Sequence, residues 1–212
     1  MNKFDISIQK FDQFASEYAT RFKNIDAYSK HFEKFCELTN QQNPAVLELA
    51  CGPGNVTRYL KQTFHSPQII AIDLAPAMIK IARENVEDVD FRIMDVRNIL
   101  TLDQQFDCIM CSFCLPFLSK NDSFKLIADC SKKLKSNGVL YISTMEGDES
   151  KAGFESTRFS GNSKVYFNYH KKTDLQNALL QNGFKTEYTI EQDYAEQDGR
   201  LTTDLIFIAK KV

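Results

Sequence analysis

The sequence predicts an α/β fold in which a mostly parallel, doubly wound sheet of seven strands is finished by an antiparallel hairpin. Three observations carry that expectation. Apolar runs of strand length alternate with helix-period segments from Ala45 to Met145. The first run, Val46-Leu47-Glu48-Leu49-Ala50, breaks at Cys51-Gly52-Pro53-Gly54, a glycine-rich bend that leads straight into a helix-like segment. The next runs each end in a polar residue, and in an open parallel sheet those ends share one edge beside which ligands bind.

Taken in order, Phe11, Phe14, Tyr18 and Phe22 recur at spacings of three and four and form one aromatic stripe on a helix. A second helical pattern with Tyr28, Phe32 and Phe35 runs to Asn40 and a loop ending at Pro44. Both are expected to cover one end of the sheet. The core then reads as strand 46–50, helix 54–63, strand 68–72, helix 76–86, strand 89–94, strand 105–111, helix 122–134 and strand 138–145. The link from Val96 to Gln105 has room for a turn or two of helix.

The stretch from Glu146 to about Lys172 shows no clear periodicity but carries Gly147, Gly153, Gly161 and several aromatics. A loop of that length beside the carboxyl edge reads as a substrate lid. Thr173-Asp174-Leu175-Gln176 has the pattern of a capping box, and the helix it opens stops at Asn182-Gly183. Phe184 to Tyr194 and Arg200 to Lys210 are β-rich and separated by Ala-Glu-Gln-Asp-Gly at 195–199, the simplest reading being a hairpin. The expected organisation is a single domain over 1–212: helical cover at 1–43, ligand-binding core at 44–145, lid at 146–172, and a closing helix and hairpin at 173–212.

At 212 residues the chain suits one domain with a full core. A formal net charge of -2 supplies no broad basic surface for nucleic acid. Apolar runs are too short for a membrane span and the first thirty residues are charged throughout, so a cytoplasmic protein is expected. Six cysteines suggest a disulfide or metal framework only superficially. Cys108 and Cys111 lie three apart on a strand, where side chains face opposite sides, and His31, His65 and His170 have no zinc-like spacing to a cysteine pair. Reduced, buried thiols and no metal are the expectation.

The chemistry concentrates at the carboxyl edge. Gly52 and Gly54 let main chain approach a ligand, and the amides at the helix start behind them suit a carboxylate. Asp73 ends the second run about 20 residues beyond the bend, the spacing of an acid that accepts both hydroxyls of a ribose. A nucleoside-bearing cofactor fits both features, although Asp73 has an alternative role as a helix N-cap ahead of Pro76. Asp95 ends the third run, and Ser112-Phe113-Cys114-Leu115 follows the fourth.

These residues resemble the class I S-adenosylmethionine-dependent methyltransferases at four successive places in the expected order. The signature loop is matched by Glu48-Leu49-Ala50-Cys51-Gly52-Pro53-Gly54. Asp73 with Leu74-Ala75-Pro76-Ala77-Met78 is similar to the ribose acid and its helix. Met94-Asp95-Val96 is similar to the adenine-contacting segment, and Phe106 to Cys111 to the strand carrying the transfer site. The resemblance spans roughly Phe11 to Lys210 and implies a Rossmann-like fold. It implies S-adenosyl-L-methionine as cofactor, held by Tyr18, Glu48, Ala50, Gly52, Gly54, Asp73, Leu74, Met78, Asp95, Val96 and Cys111. Tyr18 is expected on the helix that closes over the cofactor, its ring beside the sulfonium.

Methyl transfer needs positioning above all, and a base only for an acceptor that arrives protonated. Many small-molecule members have a histidine just after the fourth strand, where this chain has Leu115-Pro116. The remaining catalytic candidates are His170, Tyr169 and Glu146, and Phe113, Tyr166, Tyr169 and His170 are expected to meet a small-molecule acceptor. A non-catalytic S-adenosylmethionine-binding protein is the alternative. A nicotinamide-dependent oxidoreductase shares the bend and the ribose acid, but Thr57 stands where its fingerprint wants a third glycine.

Overall fold

The computed structural model describes residues 3–161, 163–195 and 201–212. Its strands are β1 (Ala45–Leu49), β2 (Gln68–Asp73), β3 (Asp90–Ile93), β4 (Phe106–Ser112), β5 (Leu134–Met145), β6 (Gly153–Ser156), β7 (Lys164–Phe167), β8 (Phe184–Ala195) and β9 (Leu201–Lys211). Its helices are α1 (Lys3–Gln13), α2 (Ala15–Arg21), α3 (Asp26–Thr39), α4 (Asn55–Thr63), α5 (Pro76–Asn85), α6 (Lys120–Lys133) and α7 (Lys172–Gln181). Among the described residues the main sheet has seven strands in the order β3-β2-β1-β4-β5-β9-β8. β1 to β5 are mutually parallel, and β9 runs antiparallel to both β5 and β8, as expected of the α/β reading.

Helices cover both faces, which is why the central strands are apolar almost without interruption. Leu47, Leu49, Ile72, Ile109 and Cys111 pack with Leu126 and Ile127 of α6 and Leu175 of α7. Val46, Ala71, Cys108 and Met110 pack with Phe32 and Phe35 of α3, Leu60 of α4 and Ile79 of α5. Burying each such leucine, isoleucine or phenylalanine contributes roughly 1.5–3 kcal/mol. Cys108 and Cys111 therefore lie on opposite faces of the sheet, and all six cysteines are free thiols, five of them buried.

Several local expectations change. The aromatic stripe is not on one helix: the chain bends at Phe14 (φ -111°, ψ 29°), and the bend lets Phe11 of α1 and Tyr18 of α2 both pack against Ala75 and Met78 at the start of α5. The stretch read as aperiodic contains a 3-10 turn at Glu149–Lys151 and a second small sheet, in which Phe154 of β6 opposes Tyr166 of β7. Four-residue strands are too short for alternation to announce them.

The helix expected at 122–134 begins at Lys120, because Ser119 caps it by accepting the Asp122 amide at 3.1 Å. The capping box at Thr173 does not form. The helix enters two residues earlier, at Lys172 with Lys171 in the N-cap position, and Asp174 pairs with Lys120 at 2.8 Å. Strands β8 and β9 pair as the expected hairpin, while its turn at 196–199 lies outside the described residues.

Candidate functional site

The strand order reverses direction between β1 and β4, and this switch point is where parallel sheets open a crevice at their carboxyl ends. Register makes the ends level. Leu49 of β1 lies beside Ile72 of β2 and Cys111 of β4, and Asp73 lies beside Ile93 of β3. The bend after β1, Asp73, the residues after β3 and the residues after β4 thus form one continuous rim. The Met94 amide donates to the Asp73 carbonyl at 3.0 Å and ties the third member to the second.

Backbone strain collects at this rim. Ala50 (φ 53°) and Phe113 (φ 51°) adopt the left-handed conformation, which costs roughly 1–2 kcal/mol for a residue with a Cβ. They stand at the exits of β1 and β4, on either side of the switch point. Phe113 is held there by its amide, which donates to the Ser143 carbonyl and lies 3.1 Å from the Ser143 hydroxyl. Non-glycine strain of this kind marks sites whose surroundings over-determine the backbone.

The two glycines of the bend do different work. Gly52 (φ 54°) turns its bare side toward the ring of Tyr18, 3.8 Å from where a Cβ would sit. Gly54 (φ 83°) packs against α5 instead: a Cβ would meet Ala82 at 3.4 Å. Its glycine is demanded by the turn and by helix packing. The Asp73 carboxylate accepts the Gly52 amide with one oxygen and the Ala75 amide with the other, each at 2.9 Å. Burial raises its affinity for a proton above that of an ordinary aspartate, against those two hydrogen bonds. It caps the turn into α5 and also fixes the bend.

Glu48 points from β1 into the α4 face, 2% exposed, opposite Thr57. Its Oε2 has no hydrogen-bond partner among the described residues, and burial, reinforced by the negative charge of Asp73, pushes its carboxyl up to about 8. A buried acid with an orphaned oxygen behind the bend suits a ligand that brings its own positive charge or a bridging water.

Above the rim, Tyr18 is pushed up to about 12 by burial and then by Asp73. It is one of an aromatic group that includes Phe11, Phe22, Phe117 and Phe159. Tyr18 lies 5.5 Å from Phe11 and 5.1 Å from Phe159, and Phe11 is 4.7 Å from Phe117. Side-chain contacts lock this roof: Asp12 accepts the Ala77 amide at 2.7 Å, and Asn55 donates to the Phe22 carbonyl at 2.8 Å. Sequence reasoning put Phe22 on the stripe with Tyr18 but did not join Phe117 and Phe159 to it, since nothing local says that α2, the turn after β4 and the segment around Phe159 meet.

The remaining candidates separate. Leu74 is half-buried beside the bend, Met78 is packed under the roof, and Val96 is buried. Cys111 is inside the core with only backbone at the rim. Asp95 caps the 3-10 turn at Val96–Thr101 and chelates the Arg97 guanidinium at 3.0 Å. Burial raises it, but Arg97 outweighs burial and holds it below the usual carboxylate range.

Tyr166 binds α1, taking the Lys3 ammonium on its hydroxyl at 2.7 Å. Tyr169 donates to Glu155 at 2.6 Å. His170 is 2% exposed, with Nε2 3.0 Å from the Ser123 hydroxyl and Nδ1 3.3 Å from that of Thr144. That is the α6 side of the sheet, away from α3. Tyr169 and His170 border a charged cleft of about 530 Å³ beside Lys120 and Asp174, and Glu146 stands at the end of β5 with Lys151 4.0 Å away. No cluster of potential metal ligands occurs among the described residues.

Comparison with known proteins agrees with this geometry. A family model for a methyltransferase domain matches residues 46–138, from β1 through the start of β5. The demethylmenaquinone methyltransferase of Thermotoga maritima is 30% identical over 168 residues, covering 78% of this chain and 69% of that protein. The chain belongs to the class I S-adenosylmethionine-dependent methyltransferases. S-adenosyl-L-methionine is the cofactor of this methyltransferase family, and the bend, Asp73 and the orphaned oxygen of Glu48 fit such a group.

A malonyl-[acyl-carrier protein] O-methyltransferase of Acetivibrio thermocellus is 30% identical over 136 residues, 60% of this chain and 47% of that protein. The chain spans about half the length of several curated methyltransferases it matches. In fold it is similar to the magnesium protoporphyrin IX methyltransferase of Synechocystis, solved with S-adenosylmethionine bound: TM-score 0.69, 15% identity, 100% of this chain and 98% of that one.

Proposed function

We propose that this chain transfers a methyl group from S-adenosylmethionine to a small-molecule acceptor bound over the carboxyl ends of β4 and β5. The observation that carries the reading is the Gly52–Asp73 hydrogen bond, which fuses the glycine bend and the ribose acid into one cradle at the switch point. In this account Asp73 accepts the ribose hydroxyls with the lone pairs its two amide bonds leave free. Glu48 faces the cofactor's ammonium from behind the bend, Val96 and Asp95 meet the adenine, and the Tyr18 ring lies near the sulfonium. The cofactor supplies an activated methyl group on a positively charged sulfur; the chain's task is to orient the acceptor and exclude water.

The lid at 146–172 is assigned to the acceptor side. The relatives named for demethylmenaquinone and trans-aconitate support a small-molecule acceptor, and the one named for malonyl-[acyl-carrier protein] supports one carried on a partner protein. A small molecule is preferred because the formal net charge is only -2 and the roof is aromatic. No helix among the described residues is long and apolar enough to cross a membrane. The test is a screen of a small-molecule metabolite fraction with methyl-labelled donor. Label in a discrete product supports the reading; donor binding without any transfer supports a non-catalytic binding protein.

A further inference from the structure

We propose that Tyr28 and Asp204 form a proton-accepting pair on the acceptor side of the rim, so that the acceptor arrives protonated, as a hydroxyl, an amine or an acidic carbon, and not as a carboxylate. The inference rests on the methyltransferase reading and names its substrate class.

Five observations converge. The Tyr28 hydroxyl, on the first turn of α3, donates to Asp204 Oδ2 at 2.6 Å. The Tyr28 ring meets Phe113 edge-on, with centroids 5.3 Å apart, and Phe113 is the strained residue at the exit of β4. Asp204 pairs in register with Met145, the last residue of β5, so it too stands at the carboxyl rim. It is 4% exposed and precedes the fully apolar run Leu205 to Ala209. Ser112 and Ser143, 3.3 Å apart, add hydroxyls between β4 and β5 at the same edge. Polar groups around the pair include Tyr141 on β5, which feels the charge of Asp204, and Gln192, opposite Asp204 on β8. Gln192 is 3.1 Å from His31 of α3, whose other ring nitrogen is 2.9 Å from Tyr188.

A phenol backed by a buried carboxylate relays a proton inward. The acceptor X–H gives its proton to the Tyr28 oxygen as the phenol proton passes to Asp204. The electron pair that held the proton forms the bond from X to the methyl carbon, and the pair of the broken carbon–sulfur bond stays on sulfur and cancels its positive charge. A carboxylate acceptor would need no base and would be repelled by Asp204.

The test uses the full chain, methyl-labelled donor and a small-molecule metabolite fraction. The labelled product is expected to withstand mild alkali, as methyl ethers, amines and carbon-bound methyl groups do; release of labelled methanol marks a methyl ester and overturns the proposal. Tyr28→Phe and Asp204→Asn are expected to lower transfer near neutral pH by about 10²-fold, with part of the rate recovered at high pH. Donor affinity by calorimetry and thermal midpoint should stay near wild type. Unchanged rates overturn the proposal, as does loss of donor binding or of folding in both variants, which makes the pair a clamp between α3 and the sheet. Absence of transfer by the wild type overturns the methyltransferase reading, and the pair's role with it.

Discussion

The Asp73 carboxylate accepts the Gly52 amide at 2.9 Å, so the acid that ends β2 and the bend that follows β1 are one mechanical unit. Removing the acid therefore does two things at once. Asp73→Ala should weaken S-adenosylmethionine binding by about 1–3 kcal/mol through lost charge-assisted hydrogen bonds, and also loosen the bend. Asp73→Asn keeps one carbonyl oxygen for the Gly52 or the Ala75 amide and should fall between. Calorimetric titration of the three proteins gives the order, and unchanged affinity in Asp73→Ala would remove the acid from the site.

The two glycines of the bend should respond unequally to alanine. Gly54→Ala combines φ 83° with a Cβ packed closely on Ala82 at 3.4 Å and Val86 at 3.5 Å. A loss of about 2–3 kcal/mol of folding stability is expected. Gly52→Ala meets only the Tyr18 ring at 3.8 Å and should cost about 1 kcal/mol, from its φ of 54°. Its effect should show more in donor affinity. Denaturant unfolding of both variants checks the order.

Glu48 makes stability depend on pH. Burial holds its carboxyl at about 8 in the folded protein, against an ordinary value of 4.5. The folded state therefore binds the extra proton between those values, and the stability associated with Glu48 is complete below 4.5 and lost as pH rises through 8. Glu48→Gln removes that dependence. The difference in unfolding free energy, variant minus wild type, should climb by up to a few kcal/mol from pH 5 to pH 9. A flat difference would place Glu48 in contact with water or a cation.

His170 works in the opposite direction. Burial, followed by the Lys120 charge, lowers it to about 4 from 6.5. Its contribution is complete above 6.5 and is lost as pH falls toward 4, by roughly 3 kcal/mol at most. His170→Gln should be less acid-labile than wild type in thermal melts between pH 4 and pH 7. An acid transition left unchanged by His170→Gln would contradict the buried, neutral ring.

Much of this architecture was written in local pattern. The apolar runs at β1, β2 and β4 are continuous because each strand is buried on both faces, and the bend at Cys51 to Gly54 announces itself by residue type. Asp73 stands at the end of β2, where the spacing placed it, and it accepts the amides of both the bend and the turn into α5. What escaped depends on contacts far apart in the chain. Tyr28 looked like one more aromatic on a covering helix, and nothing local links it to Asp204, which it meets across 176 residues. The strands β6 and β7 escaped because four residues carry too little alternation, and His170 looked available because no local signal reports burial under α6.

Isothermal titration of the purified chain with S-adenosylmethionine, S-adenosylhomocysteine and NAD tests the central claim most directly. The account predicts saturable one-to-one binding of the first two, weakened in Asp73→Ala, and no binding of NAD. Binding of NAD alone, or indifference to all three, would contradict it.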